Sequence, residues 1–241
     1  MKKIIFLVCF LSSCLVFSQK NDKKLLIEKA LKYLKIDNQN LMNDFVSTKK
    51  YGEERTLILL PEINKYNSNC EECFSVNNNI LIWNNNTEIF EYKYVKKNEW
   101  QSDAFYLTTL ELDTANYEIK NNLRAFGIRY SFNGSSKVNP AGKTYFNLYS
   151  PENNEIKEII HEFTIKAYNG ESNGGCETLS MNTEKSILII SKKNTNNYKN
   201  IIVKTEFEKF HYDDDCDKKI ITENYSESSI FKYRNGKYIL E

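Results

Sequence analysis

From Thr56 onward the chain is a succession of short alternating segments punctuated by Asn and Gly, and this pattern restricts it to antiparallel β structure. Thr56–Leu60 stops at Pro61, which cannot donate to a central ladder. Asn79–Trp83 and Glu88–Val95 flank Asn84-Asn85-Asn86, a hairpin signature. Phe105–Leu112, Leu123–Phe132, Thr144–Tyr149 and Ile156–Tyr168 follow, although Ile156, Ile159, Ile160 and Phe163 also fit a helical period. Cys176–Met181 and Ser186–Ser191 read as a further short pair. Ile201–Phe210 alternates throughout, and Ser229–Tyr233 turns at Asn235-Gly236 into Lys237–Leu240. With 16 Tyr, 14 Phe and only 3 Pro, the composition suits strands that pack aromatic faces and is unlike that of a disordered chain. The expected fold is mainly β, with antiparallel sheets in a sandwich or barrel; a propeller is the alternative.

The start of the chain reads as a targeting segment. Lys2 and Lys3 precede the apolar run Ile4–Leu11, and Val16-Phe17-Ser18 ends on a small residue, which predicts a signal peptide over 1–18. Leu11-Ser12-Ser13-Cys14 competes as a lipidation site, but Leu15-Val16-Phe17 prolongs the apolar run where a polar tether belongs. Asp22–Ile36 carries Leu25, Leu26, Ala30, Leu31 and Leu34 at helical spacing with lysines opposite, so one amphipathic helix is expected to lie on a sheet. A membrane-surface helix is the rival reading, and Glu28 argues against it. The organisation is then a helical segment over 19–55 and one β-rich domain over 56–241, with no Pro/Gly/Ser linker to divide it. The net charge is +1, and loss of Lys2 and Lys3 keeps it near neutral, so no nucleic-acid partner is expected. No further run reaches membrane-spanning length, which points to a periplasmic or extracellular protein, or one tethered through Cys14.

Of the 6 cysteines, Cys9 and Cys14 fall in the leader, leaving Cys70, Cys73, Cys176 and Cys216 as disulfide candidates in an exported chain. Sequence leaves the pairing open; Cys70–Cys73 with Cys176–Cys216 is the preferred arrangement. A redox role for Cys70-Glu71-Glu72-Cys73 is disfavoured, because two glutamates oppose thiolate formation. Zinc would need further ligands from Cys176, Cys216, His161 or His211, and no second paired motif exists. Asp213, Asp215 and Asp217 alternate like early calcium ligands. The pattern fails where Lys218 replaces Gly and Asn224 replaces Glu, so a solvated acidic turn is favoured. No nucleophile, zinc-protease or phosphate-loop motif is present, and no cofactor is expected. A glycosidase-type carboxylate pair stays open, since sequence spacing says nothing of separation in space.

The least routine chemistry lies in Ser102–Pro140. Alternation along Leu123–Phe132 puts Arg124, Phe126, Ile128, Tyr130 and Phe132 on one face and Leu123, Ala125, Gly127, Arg129 and Ser131 on the other. Arg129 therefore sits beside small positions, with room for a carboxylate or phosphate ligand to approach. The competing reading is that Arg124 and Arg129 satisfy Asp103 and Asp113 in structural ion pairs. The run SDAFYL…DTANYEIKNNLRAFGIRYSFNGSSKVNP, with LLPEI before it and NGE…C after it, resembles a family of exported bacterial proteins to which no activity is assigned. That resemblance covers about the middle half of the chain and implies export and a single domain, without catalytic residues. The expectation is an envelope-associated domain that binds a protein partner or small ligand through Tyr-rich surfaces. The alternative is an extracytoplasmic hydrolase of glycans or peptides, acting through loop carboxylates.

Overall fold

Two-residue turns set the architecture. Asn153-Asn154 (φ 55° and 63°), Asn196-Asn197 (φ 51° and 67°) and Asn235-Gly236 (φ 51° and 85°) are left-handed at both positions, the conformation that matches the twist of a tight hairpin. Asparagine tolerates this region because its short side chain bonds locally. The computed structural model describes residues 22–67 and 70–241. It contains a helix α1 (22–34) and thirteen antiparallel strands: β1 (Ser47–Tyr51), β2 (Arg55–Leu59), β3 (Glu62–Asn67), β4 (Cys70–Asn84), β5 (Ile89–Ser102), β6 (Phe105–Lys120), β7 (Leu123–Gly134), β8 (Ala141–Glu152), β9 (Glu155–Glu171), β10 (Ser180–Thr195), β11 (Tyr198–Tyr212), β12 (Lys219–Arg234) and β13 (Lys237–Leu240).

The strands form two sheets. In the smaller one β2 and β3 lie end to end along one edge of β4, with β1 outside β2 and β5 on the other side of β4. Pro61 divides β2 from β3 without breaking their register, because Leu60 N–H still reaches Asn79 O at 2.9 Å. The larger sheet is a meander, β6 through β13 in chain order. It bends enough to bring β11 against β6 and β13 against β9, yet it is not closed into a barrel.

Three apolar clusters hold these layers. Leu57, Leu59, Ile80, Ile82 and Trp100 of the smaller sheet meet Leu110, Phe126, Ile128, Tyr130 and Tyr149 of the larger. The opposite face of the smaller sheet, with Ile58, Leu60, Leu81 and Trp83, packs under Ala30, Leu26, Leu31 and Leu34 of α1. The other face of β6–β9, including Ile119, Ala125, Phe146 and Ile160, packs on Ile201, Val203, Phe231 and Tyr238. Strands covered on both faces need no polar face, which is why Leu57–Leu60 and Ile80–Trp83 are unbroken apolar runs. Each such side chain, once fully buried, contributes roughly 1.5–3 kcal/mol.

The β architecture, the helix on a sheet and the hairpins about 84–86 and 235–236 follow the sequence expectation. Ile156–Tyr168 is strand, within β9. Three details differ. Ser47–Tyr51 is already a strand of the smaller sheet, so β structure begins before position 56. The stretch after Leu112 continues as strand to Lys120, with a bulge between Asp113 and Tyr117. The expected pair Cys176–Met181 and Ser186–Ser191 is a 3-10 turn (Cys176–Thr178) followed by the single strand β10, because the polar residues Asn182–Lys185 between them pair with both β9 and β11. The leader, its cleavage site and Cys14 lie outside the described residues. No described helix is long and apolar enough to cross a membrane.

Candidate functional site

The four central residues separate into different roles. Asp113 and Arg129 meet: Arg129 Nε donates to Asp113 Oδ2 at 2.7 Å, and Tyr117 Oη donates to the same oxygen at 2.8 Å. Burial alone would raise the Asp113 pKa, but bonds from the Ala115 amide, Arg129 and Tyr117 outweigh it and hold the carboxyl below its usual range. Burial, and then the Asp113 charge, push the Tyr117 phenol up to about 12. The room expected beside Gly127 is filled. The Phe146 ring lies where a Cβ would stand, and the Arg129 guanidinium sits 5.5 Å over that ring. Arg124 pairs with neither aspartate: it donates to Thr114 O and Ala115 O and lies 5.6 Å over the Tyr51 ring. Asp103 accepts from the Phe105 amide at 3.0 Å and lies apart, on the rim of a groove described below.

The other candidates are turn and cross-link elements. Asp213 Oδ1 accepts from the amides of Asp217 and Lys218 at 3.0 and 3.1 Å, so it closes the acidic turn that also carries Asp215. Cys70 and Cys73 are joined in a disulfide. Cys216 is also disulfide-bonded, while the Cys176 side chain lies outside the described residues.

A different site emerges where β5 meets β8 and β9. Two bulges build it. In β5 the register slips between Asn78↔Lys96 and Val76↔Trp100; Asn98 has φ 52°, and its amide donates to Asn77 Oδ1 at 3.0 Å. In β9 the register slips opposite Asn147; Glu162 has φ 48°, and its amide donates to Asn147 Oδ1 at 2.7 Å. In each case an asparagine on the neighbouring strand accepts the amide that the bulge frees, and each bulge re-aims the side chains beside it. Left-handed backbone at a glutamate inside a strand is uncommon and costs free energy.

The re-aimed side chains converge. Asn147 Nδ2 donates to Glu158 Oε1 at 2.8 Å, Tyr149 Oη at 3.2 Å and Glu99 Oε1 at 3.3 Å. Lys96 Nζ stands 2.9 Å from Glu99 Oε2 and 3.2 Å from Glu158 Oε2, and His161 Nδ1 lies 3.0 Å from Glu158 Oε1. The Glu99 side chain is 1% exposed. Lys96 is the partner of its Oε2, an ion pair at 2.9 Å with no neutral donor beside it. Burial first, and then the Glu158 charge, raise the Glu99 pKa despite Lys96. The phenols of Tyr94, Tyr130 and Tyr149 are pushed well above 10.0, mainly by burial and then by the surrounding glutamates.

Glu99 and Glu162 also line an adjoining groove of about 450 Å³. Its walls include Trp100, Phe105, Phe132 and Tyr145, and Asp103 and Glu162 bring two carboxylates against the ammonium of Lys143, while the Glu99 carboxylate itself is buried. Sequence reading missed this site because its parts come from β5, β8 and β9 and meet only through the bulges. The one local signal is Glu158-Ile-Ile-His161-Glu162, whose three polar groups do not follow strand alternation. No protein-family model matches the chain, and no curated protein or solved structure is significantly similar to it.

Proposed function

We propose that this is an exported binding domain, whose groove between β5 and β6–β9 takes a small ligand rich in hydrogen-bond donors, a sugar or an amine. The observation that carries the reading is the lining itself: the aromatic residues Phe105, Phe132 and Tyr145 stand with Asp103 and Glu162 around the groove. Rings that stack on a flat ligand, with a few acceptors fixed on rigid strands, are the usual make-up of a small-molecule site. Export is supported by the leader-like residues 1–18 and by the Cys70–Cys73 disulfide, which suits an oxidising compartment. The test is a thermal-shift and NMR screen of neutral oligosaccharides and small amines. A hit should be lost in Phe132→Ala, and a panel without any hit overturns the reading. Mass spectrometry of the mature N-terminus tests export, with Gln19 expected first and a diacylated Cys14 as the contrary result.

The hydrolase reading rests on one specific feature, the facing carboxylates of Glu99 and Glu158, of which Glu99 is the more deeply buried. A buried acid beside an ionised partner is the arrangement of glycoside hydrolysis. Here both carboxylates share Asn147 and Lys96, so neither points alone toward the groove. Turnover of a glycan that Glu158→Gln abolishes without weakening binding would favour catalysis.

A further inference from the structure

We propose that Glu99, Glu158 and His161 form a binding site for a divalent cation of the zinc class. One ligand atom from each lies within 4.8 Å of the others, and among the described residues this is the only such group. An ion at about 2.0–2.2 Å from each atom holds tetrahedral ligands roughly 3.4 Å apart, so the side chains must close by up to about 1.4 Å on binding. The mixture of one imidazole nitrogen with two carboxylate oxygens favours Zn²⁺ or Mn²⁺ over an all-oxygen ion such as Ca²⁺.

A second observation agrees. Glu99 Oε2 belongs to a side chain that is 1% exposed, and its partner is the Lys96 ammonium at 2.9 Å, with no neutral donor beside it. The group that satisfies this buried oxygen is therefore a cation, the part a bound metal ion would take over. The charges agree. Glu99, Glu158 and Glu162, which lies 3.8 Å from His161 Nε2, outnumber the two ammonium groups near them, Lys96 and the groove's Lys143. Lys96 stands in the approach to both glutamates, and its side chain is 39% exposed, free to turn toward solvent. It acts as the built-in competitor for the ion. Asn147 orients the carboxylates from behind, as an outer partner of a metal ligand does.

The experiment is calorimetric titration of the chelator-treated protein with ZnCl₂, read in parallel with Tm. One equivalent of Zn²⁺ is expected, with weakening of about tenfold or more in His161→Ala and in Glu158→Gln. Lys96→Met removes the competitor and should tighten binding by about tenfold. Because His161 is half exposed, its variant should fold normally, which keeps the test open if Glu158→Gln does not. Phe132→Ala should leave the titration unchanged, so failure of the groove reading is distinguishable from failure of this one. Absence of heat and of any rise in Tm at about 1 mM Zn²⁺ overturns the proposal. So does uptake that survives both ligand variants, because the ion would then sit elsewhere.

Discussion

Strands β6–β8 and β10–β12 belong to one sheet and are held very differently. The first group is covered on both faces, by the smaller sheet and by the returning strands, and Phe126, Ile128, Phe146 and Leu148 are wholly buried. In the second group only the ends reach a core. Every residue from 219 to 228 in β12 is exposed, and Ile187, Ile221 and Tyr225 are each about half open to solvent. Backbone pairing does not explain the contrast, because the exposed group keeps an unbroken register from Ser180↔His211 to Ile190↔Ile201 while the covered β6–β7 pair is interrupted three times. Ladder bonds therefore define strand geometry in this molecule, while coverage decides how tightly each strand is held.

The strongest test of that contrast is Phe146→Ala, which opens the space between two layers and strips the ring from above Gly127. A loss of about 3–5 kcal/mol in denaturant unfolding is expected. Next comes Arg129→Gln, which leaves the buried Asp113 without its cation and should cost roughly 1–3 kcal/mol. It also tests acid behaviour. The folded pKa of Asp113 is lowered, so its contribution is complete above the unfolded value of about 3.9 and disappears as pH falls through the lower folded value. Arg129→Gln should flatten that acid limb in a Tm-against-pH series; an unchanged limb would show that the pair adds nothing. Hydrogen exchange should separate the two halves, with amides of 219–228 opening more readily than those of 125–130. The smallest effect is expected for Tyr225→Ser, within about 0.5 kcal/mol, although Tyr225 stacks on Phe207 at 4.8 Å. A larger loss there would mean that the open face is covered in solution.

Much of this fold was legible because the turns are made of Asn-Asn and Asn-Gly, and because Leu57–Leu60 and Ile80–Trp83 can only be strands buried on both sides. The first half of β12 was not legible: a strand exposed on both faces has no alternation to read. Arg129 and Asp113 were found together, because both lie on one hairpin. The Arg124 partners were not, since its main acceptors are backbone carbonyls, which carry no sequence signature. Glu99 and Glu158 escaped for a related reason, and His161 was named only as a possible zinc ligand beside the cysteines. Strand alternation separates residues three apart, and only the irregular backbone around Asn98 and Glu162 returns them to one side.

In the larger sheet, spatial order and chain order coincide from β6 to β13. A growing chain thus never has to hold one strand of this sheet open for a mate that emerges much later, because each new segment meets a template already laid down. Assembly can advance from one end like a zip. A sheet built this way can gain or lose a terminal hairpin without rethreading what came before.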